Sequence, residues 1–385
     1  LKKLRVGVIY GGRSGEHEVS IASAAAVMAN LDRARYEPVP IRIDRDGRWS
    51  LADKPPTAAS ASEVIEQTRS EMKALRAGRE VHLLPRPSEE TILAIDRTPT
   101  RGEDEPRAIV TGVGLDVIFP VLHGPHGEDG TVQGLLELAN VPYVGCGVLA
   151  SSVGMDKALM KRVFAAHGLP QCAYAVVLRR RVLAETEVVA DELLTQLGLP
   201  LFVKPANLGS SVGISKARTR DELVEALKLA ADYDRKVVVE AGVAAAREIE
   251  VAVLGNDEPI ASVPGEIVPS REFYDYEAKY LDGASRLAIP ADVPDEMGSR
   301  LQALAIAAFR AVDGAGLSRV DFLVDGNSGD VFVNEINTMP GFTTISMYSK
   351  LWAATGLAYP ELVDRLVQLA LERHAEKQQL RVSAF

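Results

Sequence analysis

The sequence predicts an α/β (α+β) protein that opens with a doubly wound α/β domain, and three observations predict it. LRVGVIYGG (4–12) is a buried-strand run that ends in glycines and leads into a helix. PLFVKPANLGSSVGISKA (200–217) is a strand, a Gly/Ser loop and a returning strand. SRVDFLV (318–324) and VFVNEIN (331–337) are two apolar strands joined by DGNSGD, a strong turn signal.

The 385 residues allow two or three domains with cores of their own, and 47% hydrophobic with 25% charged is an ordinary globular balance. A net charge of −10 speaks against a nucleic-acid partner. The two cysteines, Cys146 and Cys172, make neither a disulfide framework nor a metal motif, which suits a reducing compartment. No apolar run approaches a membrane span and the N-terminus shows no signal-peptide core, so the expected location is the cytoplasm.

In chain order, the first strand is followed by RSGEHEV and then Ser20, read as the N-cap of a helix with Ile21, Ala24, Ala25, Met28 and Leu31 on one face. GGRSG lacks dinucleotide-site spacing. Glu16 in that loop suits a cationic ligand such as an ammonium, or is a surface acid in a turn. Residues 52–107 read as an elaboration of the first domain, with an amphipathic helix carrying Ile65, Thr68, Met72 and Leu75. LDVIFPVLHG returns to a buried strand and runs into HGPHGEDG. Its His123, His126, Glu128 and Asp129 match no standard zinc spacing, so a substrate-lining loop is the better reading.

Asp156 opens a helix, MDKALMKRVFAAHGLP, with Lys157 in its first turn. A lysine there opposes the helix dipole, at a cost of up to ~1 kcal/mol, which makes sense if it reaches a phosphate; a solvated lysine fits equally. Lys204 precedes its Gly/Ser loop, so the segment is no Walker A loop. It is either an anion-binding loop or a plain hairpin. RKVVVEAGV is a strand ending at Glu240, and REIEVAVLGNDEPI is a strand pair with Glu248 and Glu250 on one face. Residues 266–286 lack periodicity and crowd Phe273, Tyr274, Tyr276 and Tyr280 into a chain only 5% aromatic, which is expected of a loop covering a site.

The hairpin near the end carries the chemistry. Strand alternation puts Glu335 and Asn337 on one face and Phe332, Asn334 and Ile336 on the other, while Arg319, Asp321 and Leu323 share a face. Stacking the apolar runs brings Asp321 near Glu335. Facing carboxylates repel unless a cation lies between them, and hard oxygen ligands two residues apart suit Mg²⁺. A solvent-facing hairpin with acids on its wet side is the alternative; apolar residues on both faces favour the metal.

In order, GGRSGEHEVS, LHGPHGEDG, MDK, FVKPANLGSSVG, FYDYEAKY, SRVDF and NEINTMPG resemble the ATP-grasp enzymes, and within them the D-alanine–D-alanine ligase family, over nearly the whole chain. The resemblance implies an N-terminal substrate-binding domain (1–145), a central ATP-grasp subdomain (146–240) and a C-terminal one with the metal site (241–385). It implies ATP between two sheets, with Lys157, Lys204, Ser211 and Lys279 near its phosphates, Glu240 and Val243 at the adenine, and Glu248 at the ribose. Asp321, Glu335 and Asn337 would hold two Mg²⁺ ions, with Mn²⁺ as an alternative. Glu16 would bind the ammonium of the first D-alanine beside Ser210 and Tyr280; His123 and Glu128 would line that pocket, and Ser346 would meet the second carboxylate. Lys279 and Tyr280 would close over the reaction, and Arg319 with the Gly341 N–H would stabilise the oxyanion. The product would serve peptidoglycan precursor synthesis, and the enzyme would be a homodimer. Rival readings are a related carboxylate–amine or D-lactate-using ligase, and a non-catalytic nucleotide-binding member of the fold.

Overall fold

In a computed structural model of the chain, the residues described are 2–70, 79–96, 108–268 and 286–381. Three sheets organise them. The first is built on parallel strands β1 (Leu4–Gly11), β2 (Tyr36–Ile43) and β7 (Val117–Val121). It is widened beyond β2 by antiparallel β3 (Trp49–Leu51), β4 (Arg79–Leu83), β5 (Ile92–Asp96) and β6 (Ile109–Val113), giving the order β6-β5-β4-β3-β2-β1-β7. Helices cover both faces of the parallel part. α1 (His17–Asn30) packs on one, and α3 (Thr131–Ala139) adds Val132 and Leu136 to the core on the other. The 52–107 elaboration is thus mostly sheet, with one helix, α2 (Ala61–Ser70). That helix packs Val64 against Ala22 and Ala58, and Ile65 is half-buried. Met72 and Leu75 lie outside the described residues.

α1 begins three residues before the expected Ser20 cap. Glu16 occupies the N-cap, where a carboxylate sits favourably at the positive end of the helix dipole. Ser20 is wholly buried one turn in. Its hydroxyl accepts from Gly11 N at 2.8 Å and donates to Val121 O, so it knits the ends of β1 and β7 together.

α4 (Val148–Met155) and α5 (Lys157–Ala166) lead to the second sheet: β8 (Tyr174–Leu178), β9 (Leu201–Pro205), β10 (Ser215–Ala217) and β11 (Lys236–Ala241), antiparallel in the order β10-β9-β11-β8. α6 (Arg179–Leu197) and α7 (Arg220–Tyr233) bury one face of it; Lys204, Val238 and Glu240 lie on the other. The third sheet has β12 (Arg247–Gly255) at its centre, β14 (Gly265–Val268) and β15 (Arg286–Ala288) on one side, and β16 (Gly316–Val324) and β17 (Val331–Asn337) on the other. β13 (Ile260–Ala261) pairs with the end of β12. α8 (Asp295–Ala311) covers one face of this sheet. α9 (Met347–Thr355), a helix the sequence reading did not separate, covers the other together with α10 (Tyr359–Lys377).

α10 joins the first and third sheets. Its Leu362, Val363, Leu366 and Val367 are fully buried in one cluster with Val8 and Phe119 of the first sheet and Ala252 and Leu317 of the third. Among the described residues, no helix is long and apolar enough to cross a membrane. Truncating one α10 side chain should therefore loosen two sheets at once. Leu366→Ala is expected to cost about 2–5 kcal/mol, read as a lowered midpoint in chemical denaturation. A midpoint equal to that of the parent protein would show that α10 does not carry this core.

Candidate active site

The hairpin pairs Arg319 with Asn337, Val320 with Ile336 and Asp321 with Glu335, so the two acids do lie opposite each other. The register then shifts: Phe322 pairs with Val333, leaving Asn334 as the extra residue of a β-bulge. The bulge corrects the expected alternation. Val331, Val333 and Ile336 form the buried face, whereas Phe332 shares the cleft face with Glu335 and Asn337. Without the bulge, an apolar core contact at Val333 would have put Glu335 into the core beside it. The inserted residue turns the acid outward, and Asn334 itself reaches Lys204 Nζ at 3.2 Å.

The neighbouring strand adds a third acid. Glu250 of β12 lies opposite Asp321, so Glu250, Asp321 and Glu335 form one row across three strands. Cations hold that row together. Arg319, two pairs further along, donates Nε and Nη2 to the two Asp321 oxygens at 2.6 and 2.7 Å, and its Nε lies 3.0 Å from Glu250. Burial alone would pull the guanidinium pKa down; the Asp321 and Glu250 carboxylates outweigh it and hold the pKa well above its ordinary value. Lys157 Nζ lies 3.4 Å from Glu335 and donates to Leu208 O at 2.8 Å. The expected facing of Asp321 and Glu335 across a cation is thus modified: Asp321 is already paired by Arg319 and takes a further hydrogen bond from Asn337 Nδ2 at 2.9 Å.

Glu250, Arg319, Glu335, Asn337 and Lys157, with Asp321 behind them, border a cleft with about 1190 Å³ of empty space, its open mouth included, to which the first domain contributes Glu16, His123 and Glu128. Glu16, His123, Glu128 and Ser210 line it together with Lys157, Arg319, Glu335, Asn337, Gly341 and Ser346. Ser210 donates its hydroxyl to Glu16 Oε1. Two glycines make room for that carboxylate. A Cβ on Gly124, whose φ is +73°, would come within 2.8 Å of Glu16 Oε2, and one on Gly209 within 2.9 Å. Glu128 accepts from Gly124 N at 2.9 Å, and burial, reinforced by the nearby Glu16 charge, pushes its pKa up to about 8. Ser346 stands at the N-terminus of α9 and accepts from Thr343 N at 3.0 Å. The Gly341 N–H faces no hydrogen-bond partner among the described residues.

His123 lines the cleft as expected, with both ring nitrogens engaged by protein groups. It is 4% exposed, with Nδ1 3.1 Å from Met339 O and Nε2 3.2 Å from Ser23 Oγ. Because a carbonyl only accepts, Nδ1 carries the hydrogen, and burial lowers the ring pKa so that it stays neutral.

Lys204 and Glu240 sit together on the open face of the second sheet. Both carboxylate oxygens of Glu240 are engaged, one by Lys204 at 2.8 Å and one by Lys161 at 3.0 Å. Burial would raise its pKa, but the two lysines hold it down at about 2. The Glu240 side chain is thus held by two lysines, with the adjoining backbone at the end of β11 beside it. Glu248 lies opposite Leu323 and Ile267 at the start of β12, and Val243 is half-buried in the turn before it. Ser211, like Ser210, has a left-handed backbone, φ 59° and 50°. Lys279 and Tyr280 lie outside the described residues.

Lys161, Glu250 and Ser23 escaped the sequence reading as site residues. Lys161 had a signal: it stands four residues after Lys157, on the same helix face. Glu250 alternates with Glu248, but its row with Asp321 depends on strand register, and nothing local singles out Ser23. Among the described residues, no group of three or more His, Cys, Asp or Glu side chains converges to cage a metal. The hard oxygens in this region belong to Asp321, Glu335 and the Asn337 amide, and both Asp321 oxygens accept from Arg319 while the Asn337 nitrogen is turned to Asp321.

Residues 5–146 match the family described as D-ala D-ala ligase N-terminus, and residues 163–368 match D-ala D-ala ligase C-terminus. The chain is 55% identical over 378 residues to a D-alanine–D-alanine ligase of Heliobacterium modesticaldum, covering 98% of this chain and 97% of that one. It is 48% identical to the ligase of the same name from Geobacillus thermodenitrificans, covering 98% of each. Of solved structures, the D-alanine–D-alanine ligase from Coxiella burnetii is similar with a TM-score of 0.80 at 38% identity, covering 98% of this chain and 97% of that one. The VanG D-Ala:D-Ser ligase from Enterococcus faecalis is similar with a TM-score of 0.77 at 33% identity, covering 96% and 100%. With both halves matched in order and relatives this similar along nearly their full lengths, the chain belongs to the D-alanine–D-alanine ligase family and has its ATP-grasp fold.

Proposed function

We propose that this chain uses ATP to activate one D-alanine as an acyl phosphate and joins it to a second, producing D-alanyl-D-alanine for peptidoglycan precursors. The observation that carries the reading is a single cleft in which the Glu16 carboxylate, suited to an ammonium, stands beside cations suited to phosphates, Lys157 and Arg319. Family kinship supports a cytoplasmic setting and a homodimer.

A carboxylate is a poor electrophile, so its oxygen must first take the γ-phosphoryl group of ATP, with ADP leaving. Lys157 and Lys204 draw the phosphates in, and Lys161 with Glu240 holds Lys204 in place. Ser211 and Lys279 complete the phosphate contacts, the backbone at Val243 meets the adenine, and Glu248 holds the ribose. Asp321, Glu335 and Asn337 fit Mg²⁺ or Mn²⁺, since their donors are hard oxygens and the row Glu250–Asp321–Glu335 carries three negative charges against the two positive charges of Arg319 and Lys157. Bound there, divalent ions would neutralise charge on the ATP phosphates. Glu16, steadied by Ser210 and Tyr280, orients the first D-alanine by its ammonium. Ser346, at the N-terminus of α9, receives the carboxylate of the second. The second amine then forms the C–N bond, the C–O bond to phosphate breaks, and the amine proton leaves with the phosphate. The transient oxyanion is met by Arg319 and the Gly341 N–H.

Incubation with ATP, Mg²⁺ and single amino acids tests the reading. ADP release that depends on D-alanine, with the dipeptide as product, is expected; ADP release indifferent to D-alanine would overturn it.

Glu335→Gln should lower turnover by about two orders of magnitude or more while leaving the melting temperature near that of the parent protein. Asp321→Asn should do the same to turnover but also lower the melting temperature, since it takes one of two carboxylates from Arg319 and leaves it only Glu250. Parent-like ADP release with ordinary Mg²⁺ dependence in Glu335→Gln would sink the metal assignment.

The acceptor is expected to be D-alanine in preference to D-lactate at neutral pH. A hydroxy acid carries no ammonium, and a pocket that favours one needs a positive group to repel the amino acid. His123, the one histidine of the described cleft lining, is buried with both ring nitrogens engaged. Equal D-alanine and D-lactate in competition, read by mass spectrometry across pH, give the answer. A depsipeptide as main product at pH 7 would refute the assignment.

A further inference from the structure

Ser23 is fully buried in α1, seven residues or two helical turns beyond Glu16, on the same face and about 10 Å along the axis. Its hydroxyl accepts from Phe342 N at 3.1 Å and lies 3.2 Å from His123 Nε2, while His123 Nδ1 lies 3.1 Å from Met339 O. The donors run in one consistent direction. The Phe342 N–H donates to Ser23 Oγ, the Ser23 hydroxyl donates to Nε2 of a neutral imidazole, and Nδ1–H donates to Met339 O. The two ends of this chain of bonds grip the backbone on either side of Pro340 and Gly341. The Phe342 ring, also fully buried, packs edge-on against Phe119 of β7 with centroids 5.6 Å apart. A Cβ on Gly341 would come within 3.0 Å of Ser346 Oγ, so the loop has little room to shift.

We propose that Ser23 and His123 form an interdomain clamp that positions the Gly341 N–H over the reacting carbonyl, making Ser23 a positioning residue for the ligation step. The clamp assigns His123 a task other than contacting substrate. It also gives α1 two linked tasks: its N-terminus presents Glu16 to the first substrate, and its second turn fixes the amide that meets the oxyanion of that same substrate. The inference rests on the reading of Gly341 as an oxyanion donor.

Its consequence is selective. Transfer of the γ-phosphoryl group to D-alanine forms no tetrahedral carbon, whereas attack by the second amine does. Ser23→Ala removes both bonds of the serine and leaves the phosphate-binding lysines untouched. Ligation should slow by about 100-fold, with the KM for ATP nearly unchanged. Positional isotope exchange in β,γ-bridge-labelled ATP, which reports acyl-phosphate formation, should persist near the parent rate. Ser23→Cys, close in size and weaker in hydrogen bonding, should fall between the two and guards against misfolding of the alanine variant. Gly341→Pro, which removes the N–H itself, should lose ligation and keep exchange.

Parent-like ligation in Ser23→Ala would overturn the clamp, even where Gly341→Pro loses ligation. Exchange and ligation falling together in Ser23→Ala and Ser23→Cys would also overturn it, since a merely structural role slows both. Parent-like ligation in Gly341→Pro would overturn the oxyanion reading and the clamp with it.

Discussion

The guanidinium of Arg319, buried between Glu250 and Asp321, is the interaction on which the reacting centre depends. Three carboxylates in a row on adjacent strands would repel one another and favour either protonation or a broken sheet. A rigid planar cation with two bonds to Asp321 settles the conflict and fixes the angle of that side chain as well as its charge. Such a buried pair contributes little net stability, because both partners are stripped of water. What it supplies is a geometry: Asn337 is turned by its bond to Asp321, and Glu335 is left toward Lys157 and the cleft.

Charge is therefore sorted by strand and by helix. Lys157 and Lys161 lie one turn apart on α5, and both are almost wholly buried. Lys161 faces Glu240, while Lys157 faces Glu335 and the loop carrying Ser210. Glu240 is outnumbered two to one, so its pocket keeps a net positive charge, the local condition for holding a polyphosphate. Across the cleft, Glu16 and Glu128 lie close together beneath backbone that glycine alone allows to approach. The cleft wall that carries Glu16 thus differs in charge from the one that carries Lys157 and Arg319, as the proposed pairing of a zwitterionic amino acid with a polyanionic nucleotide requires.

Much of this was legible in the sequence, for reasons that can be named. The pairing of Asp321 with Glu335 followed from matching two apolar runs, since hydrophobic burial fixes strand register. The N-cap of α5 followed from Asp156, whose side chain accepts from Leu159 N. The bulge at Asn334 could not be read: an inserted residue looks like any other member of a strand until its partner strand is known. Ser20 misled because a serine near a helix start is usually a cap, whereas this one is needed to join two strand ends. The antiparallel strands of residues 79–113 are short and partly polar, and their pairing supplies what their composition does not. Glu240 was placed on the correct strand, yet its partners come from α5 and β9, distant in sequence.

The same limit explains Ser23. Its two contacts involve residues 100 and 319 positions away in the chain, the linked His123–Met339 bond spans 216, and no local pattern distinguishes it from its alanine neighbours in SIASAAAV. A buried hydroxyl in a helix of small residues is costly unless it is satisfied. Here its hydrogen goes to His123 Nε2 within the first domain, and the Phe342 N–H in the loop after β17 adds a second bond. The same loop packs Phe342 edge-on against Phe119 of β7. Phe342 buries its ring against Phe119 of the first domain, so on the proposed reading the packing that forms this core also fixes the loop that carries the Gly341 amide.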